Sequence, residues 1–137
     1  MGAYNSWGEA GNSSGRVAVE TLSLLNRFVG VRGEVCIVQP GLTLRALVKM
    51  LAARGLCLRS VPVLQDQTVG GAIGCGSHGS SVHHGTLSDA VEGLTVLLPG
   101  GDVRRLVRAT TQPILIILYC YIFLVHIFPS ATHYGLF

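Results

Sequence analysis

Charge is scarce in this sequence and unevenly spread. Only 12% of its 137 residues are Asp, Glu, Lys or Arg, about half the share of an average soluble domain. From Ala109 to Phe137 there is none. The net charge of +3 is weak, and no basic run exceeds Arg104-Arg105, which excludes a nucleic-acid partner. Lysine is absent after Lys49 and histidine is absent before His78. Cysteine is limited to Cys36, Cys57, Cys75 and Cys120, with no C-x-x-C pair. That spacing excludes a zinc ribbon and a small disulfide scaffold, leaving buried or incidental thiols. The opening residues lack the basic flank and apolar stretch of a secretory signal. No internal repeat is present.

What is there falls into three segments. Residues 1–20 are rich in Gly, Ser, Asn and Ala and are expected to be flexible. Residues 21–108 are expected to fold, and 109–137 form an apolar, uncharged tail. In the middle segment, "EVCIVQPG" is a β-branched run ended by Pro-Gly, predicting a strand and a turn. In "LTLRALVKMLAARG", Thr43 is placed to N-cap a helix, and Leu44, Leu47, Val48 and Leu51 share one face. Gly55 is placed to stop it. "LCLRSVPVL" is extended, with Pro62 excluding a helix interior. "VEGLTVLLPGGDVRRLV" predicts a β-hairpin. The order strand, helix, extended segment, glycine-rich loop, hairpin predicts an α+β fold.

The stretch "TVGGAIGCGSHGSS" (68–81) holds five glycines and three serines with no acidic or basic side chain. Bare backbone N–H groups bind phosphate oxygens without Lys or Arg, and glycine permits close approach. The expectation is a cup of free amides around a pyrophosphate. Gly74-Cys75-Gly76-Ser77-His78-Gly79 spells G-x-G-x-x-G, but "SSVHHGTLSDA" after it carries no helical apolar stripe. A dinucleotide fingerprint of the doubly wound type needs that helix. A phosphate loop of the G-x-x-x-x-G-K-[ST] type fails for want of lysine, and a G-x-S-x-G elbow fails because Gly76 directly precedes Ser77. His78, His83 and His84 lack metal-ligand spacing, so no metal site is expected.

The run "TVGGAIGCGSHGSSVHHGTLSDAVEGLTVLLPGGDV" resembles the second phosphate-binding loop of the PCMH-type flavin-binding domain found in vanillyl-alcohol-oxidase-like enzymes. Within that family it is most similar to the aldonolactone and alditol oxidases. "LNRFVGVRGEVCIVQPGLTLRALVKMLAARGLCL" is similar to the family's upstream part. The resemblance covers about residues 22–108. It implies that Thr68, Gly70, Gly71, Gly74, Gly76, Ser77, Gly79 and Ser80 line FAD, largely through backbone. His78 and Gly85 would touch the cofactor or hold the loop in shape. The activity implied is hydride transfer from a CH–OH group of a sugar lactone or polyol to the flavin, which oxygen or another acceptor then reoxidises.

Two departures shape the expectation. The family's earlier G-x-G-H-S loop, whose histidine often carries the flavin covalently, has no counterpart before His78, so FAD is expected to bind non-covalently. After Arg108 the family's substrate domain does not follow. The reading is therefore a partial FAD-binding domain, truncated and not catalytically competent alone. A non-catalytic, membrane-associated or regulatory fragment that pairs with the full-length enzyme is the alternative. The apolar run Ile114 to Phe128 is fifteen residues. As a helix it reaches about 22 Å, short of a hydrocarbon core of roughly 30 Å. A read-through tail, membrane contact through 113–129, and a strand docked on the sheet all stay open. Localisation is at a membrane if that contact is made, otherwise cytoplasmic.

Overall fold

The computed structural model describes residues 24–98, 101–108, 120–126 and 128–129. The expected flexible segment 1–20 lies outside the described residues, as does 109–119 of the uncharged run. Strands β1 (Phe28–Arg32) and β2 (Val35–Val38) form a hairpin, followed by helix α1 (Leu44–Ala52) and the short strand β3 (Leu56–Cys57). Helix α2 (Val69–Gly74) and a 3-10 turn (Leu87–Ala90) lead into β4 (Val91–Leu97) and β5 (Val103–Val107). Strands β6 (Cys120–His126) and β7 (Phe128–Pro129) come last.

Helix α1 forms where the periodicity places it. Thr43 is extended, at φ −75° and ψ 150°, and its hydroxyl accepts from the Ala46 N–H at 3.3 Å, the bond expected of an N-cap. Leu44, Leu47 and Leu51 are buried, while Arg45 and Lys49 face solvent. Burying each leucine stabilises by about 1.5–3 kcal/mol. Gly55 takes a left-handed φ of 67° just past the end of the helix, as a stop signal should.

The large sheet is antiparallel throughout, in the order β1-β2-β6-β4-β5. The predicted 91–107 hairpin is β4 paired with β5, from Leu97 opposite Val103 to Gly93 opposite Val107. Strand β6 lies between β2 and β4, with Leu124 opposite Ile37 on one side and Gly93 on the other. β7 pairs with β3. The expected fold class thus holds as mixed helix and strand. Residues 120–126 form a central strand of the sheet, the docked strand among the three readings left open for the uncharged run. Tyr121, Ile122, Phe123 and Val125 are residue types that favour strands. Among the described residues no helix is long and apolar enough to cross a membrane.

One core joins the layers. Cys36 and Val38 of β2, Leu94 of β4, the α1 leucines and Val69, Ala72 and Ile73 of α2 form a single buried cluster. Both helices are thereby fixed on the sheet, and with them the glycine-rich segment.

Candidate functional site

The glycine-rich segment opens as a helix, which its composition hides. Thr68 has φ −74° and ψ 153°, nearly the dihedrals of Thr43, and its hydroxyl accepts from the Gly71 N–H at 3.2 Å. Two threonine-capped helices therefore start side by side. Their leads pair through an antiparallel bridge between Thr43 and Thr68. Leu44 N–H donates to the Gln67 carbonyl at 3.0 Å, and Val69 N–H to that of Leu42 at 2.8 Å. Arg45 and Asp66 close the outer side with an exposed ion pair at 2.7 Å. The guanidinium bond holds the Asp66 carboxyl below its ordinary value and raises that of Arg45.

Glycine is a poor helix former, yet here it is required by close approach. A Cβ on Gly70 would stand 2.8 Å from Pro40 Cβ and 3.1 Å from the Pro40 carbonyl oxygen. On Gly79 it would meet the Val61 carbonyl at 2.9 Å and Ser60 Oγ at 3.0 Å. On Gly85 it would collide with the Asp89 carboxylate. These three glycines serve contacts inside the protein.

The expected cup of free amides is corrected accordingly. Gly70 N–H donates to the Pro40 carbonyl at 2.8 Å, and Gly71 N–H is taken by the Thr68 cap. Cys75, Gly76 and Ser77 N–H groups donate to the carbonyls of Gly71, Ile73 and Ala72. Gly79 N–H donates to Ser60 Oγ at 2.7 Å. A helix and a tight turn satisfy their own donors, because a buried unpaired N–H is costly. The N–H groups of Gly70, Gly71 and Gly79 are thus engaged within the protein, and Thr68 is only 3% exposed.

The outward face is formed by the other expected residues. Gly74 is exposed and has nothing within 4 Å of where a Cβ would stand. Gly76 holds the turn at φ 63°, a conformation that favours glycine. Ser77 Oγ donates to Gln67 Oε1 at 3.1 Å. His78 is exposed, with Nδ1 2.9 Å from the Gly79 carbonyl. Because a carbonyl only accepts, Nδ1 carries the proton in the neutral ring, leaving Nε2 as an acceptor. Ser80 is exposed. Cys75 is exposed between Gly74 and Gly76, whereas burial raises the Cys57 thiol pKa.

Sequence reasoning missed two supports. Ser60, nearly buried at 7% exposure, receives Gly79 across nineteen positions of chain, and nothing local announces it. Thr86 and Asp89 form a capping box, with the Asp89 carboxylate accepting from the Thr86 N–H at 2.7 Å and its hydroxyl at 2.9 Å. Their i, i+3 spacing is a readable signal. Among the described residues no three His, Cys, Asp or Glu side chains gather as a metal site.

With this geometry, the similarities to known proteins take on meaning. The family described as FAD binding domain matches residues 1–107. Over 66 residues the chain is 33% identical to D-arabinono-1,4-lactone oxidase of Yarrowia lipolytica, covering 48% of this chain and 12% of that protein. It is 38% identical over 66 residues to L-gulonolactone oxidase of Mus musculus, covering 48% of this chain and 15% of the relative. Among solved structures, a solvent-stable cholesterol oxidase superposes with a TM-score of 0.70 at 21% identity. That superposition covers 81% of this chain and 25% of the oxidase, and it speaks to fold. The chain thus spans a small part of the curated relatives it matches.

Proposed function

This chain belongs to the FAD binding domain family, and on that premise we propose that the outward face of residues 74–80 is where it meets the cofactor. The observation that carries this reading is the division among the glycines. Gly70, Gly79 and Gly85 are explained by internal contacts, and Gly76 by its left-handed φ. Gly74 ends a helix, is exposed, and has open space where a side chain would stand. Glycine in a helix costs about 0.5–1 kcal/mol relative to alanine, and the fold gives nothing in return at this position. Close approach of a bound molecule does.

In this reading Gly74, Gly76, Ser77, His78 and Ser80 border FAD. Thr68, Gly70, Gly71, Gly79 and Gly85 hold the segment in shape. None of residues 1–77 is a histidine, and in this reading residues 74–80 hold the flavin without a covalent bond. FAD supplies a two-electron acceptor. Similarity to the lactone oxidases supports a CH–OH group of a sugar lactone or alditol as the hydride donor in the complete enzyme. The chain's own residues position the cofactor.

Alkylation of Cys75 tests this reading. Saturating FAD should slow iodoacetamide labelling of Cys75 at least several-fold, and denaturation should release the flavin unmodified. Unchanged Cys75 labelling in protein that visibly carries flavin would place the cofactor elsewhere.

A further inference from the structure

We propose that β5 is a docking edge, on which an extended acidic segment of a partner protein adds as a further strand of the sheet. In the order β1-β2-β6-β4-β5 it is hydrogen-bonded to β4 on one side only. Backbone groups in an antiparallel ladder alternate between the two sides of a strand. Leu98 N–H donates to the Asp102 carbonyl at 2.8 Å, and Arg108 N–H to that of Glu92 at 2.9 Å. Counting inward from these bonds, Arg104 and Leu106 turn their backbone to β4, while Val103, Arg105 and Val107 turn theirs outward. All of β5 is exposed, Val103 at 65% and Val107 at 67%. Bulges and prolines blunt an edge, and β5 has neither. Its register with β4 runs from Leu97–Val103 to Gly93–Val107 without a shift, whereas β1, at the opposite edge, is broken between Phe28 and Gly30.

Charge decides the occupant. Residues 103–108 read V-R-R-L-V-R, with no acidic side chain. Arg108 is engaged, its guanidinium donating to the Asp89 carbonyl. Among the described residues, Arg104 and Arg105 have no carboxylate partner. Leu94 and Val96, both buried, stand opposite Leu106 and Arg104. Those two therefore extend the core-side face, and Val103, Arg105 and Val107 the other, so each face carries one of the two arginines beside apolar neighbours. A second copy is disfavoured, because the symmetric pairing centred on Arg105 sets that side chain against its own copy. A lipid surface offers no ladder for the outward N–H groups. A strand with two adjacent carboxylates between apolar residues meets both arginines, one on each face, and the backbone as well. One strand of this length falls well short of the roughly 1,200 Å2 of a stable interface, so the complex is transient and weakened by salt. The proposal concerns an edge outside residues 74–80 and does not rest on the cofactor reading.

Titration of the isotope-labelled full chain with the capped peptide T-V-V-E-E-V-T, at low ionic strength, tests the edge. Antiparallel alignment sets its two glutamates opposite Arg105 and Arg104. Amide exchange should slow at least several-fold at Val103, Arg105 and Val107, whose N–H groups face outward. Arg104, Leu106 and Arg108, already bonded to β4, should change little. Replacing both glutamates by glutamine should weaken binding about tenfold, the loss expected for two exposed ion pairs. N-methylation of the first glutamate, which removes a ladder donor, should abolish it. The double variant Arg104→Glu/Arg105→Glu should lose the glutamate peptide and bind T-V-V-K-K-V-T instead, an exchange that a misfolded chain would not make. Equal binding of the glutamate and glutamine peptides, or no slowing of the three outward amides at saturating peptide, overturns the proposal. Slowing of those amides with chain concentration alone also overturns it, in favour of a second copy. So does binding of the parent to vesicles of equal parts phosphatidylcholine and phosphatidylserine but not to the peptide, in favour of a membrane surface.

Discussion

Single glycines in this segment have separable duties, and alanine distinguishes them. Gly79→Ala forces a methyl against the Val61 carbonyl at 2.9 Å, where backbone must shift. Overpacking of this kind costs about 1–3 kcal/mol, which urea unfolding would register as a lower midpoint at unchanged slope. Gly74→Ala meets nothing within 4 Å and should leave stability unchanged or raise it by up to about 1 kcal/mol. It should nonetheless lower flavin retention, read from the visible absorbance of protein purified with excess FAD. Full retention in a well-folded Gly74→Ala chain would count against the cofactor lying on that backbone. Composition shows that glycines cluster here. Which of them face inward depends on Pro40 and Val61, some thirty and eighteen positions from Gly70 and Gly79.

At the scale of elements, the two threonine caps are the fold's most readable and most hidden features respectively. Thr43 stands before an evident apolar stripe. Thr68 does the same work before V-G-G-A-I-G, where low helix propensity masks it. Each cap should be worth about 1 kcal/mol, so Thr43→Ala and Thr68→Ala should shift the unfolding midpoint by similar amounts. Thr68→Ala should also weaken flavin binding, because it frees the start of α2. The Arg45–Asp66 pair adds a pH signature. The folded carboxyl of Asp66 titrates below its ordinary value, so its contribution is present above the ordinary carboxylate range and is lost as pH falls through the depressed value. Both side chains are 64% exposed, so the effect should be small and screened by salt. Asp66→Asn should flatten that part of the acid limb in melting temperatures recorded at low ionic strength.

For the whole molecule, β6 decides how the parts join. It is hydrogen-bonded to β2 on one side and β4 on the other, so the β1–β2 and β4–β5 hairpins share a sheet through it. Leu124→Pro should cost about 3 kcal/mol or more, since proline removes a ladder donor from a central strand. Circular dichroism melting would show a large drop, and amide exchange in β2 and β4 should accelerate together. Loss confined to β6, with β2 and β4 still protected, would mean that the two hairpins associate without it.

The sequence by itself determined the hairpin at 91–107, helix α1 and its cap, and membership in a flavin-binding family. Each rests on short-range periodicity or on a motif whose residues lie close in the chain. Only the tertiary structure decided that α2 is a helix, that Ser60 holds Gly79, and that Cys120–His126 lies at the centre of the sheet. Those outcomes depend on contacts between distant segments, where packing and hydrogen-bond satisfaction outweigh local propensity.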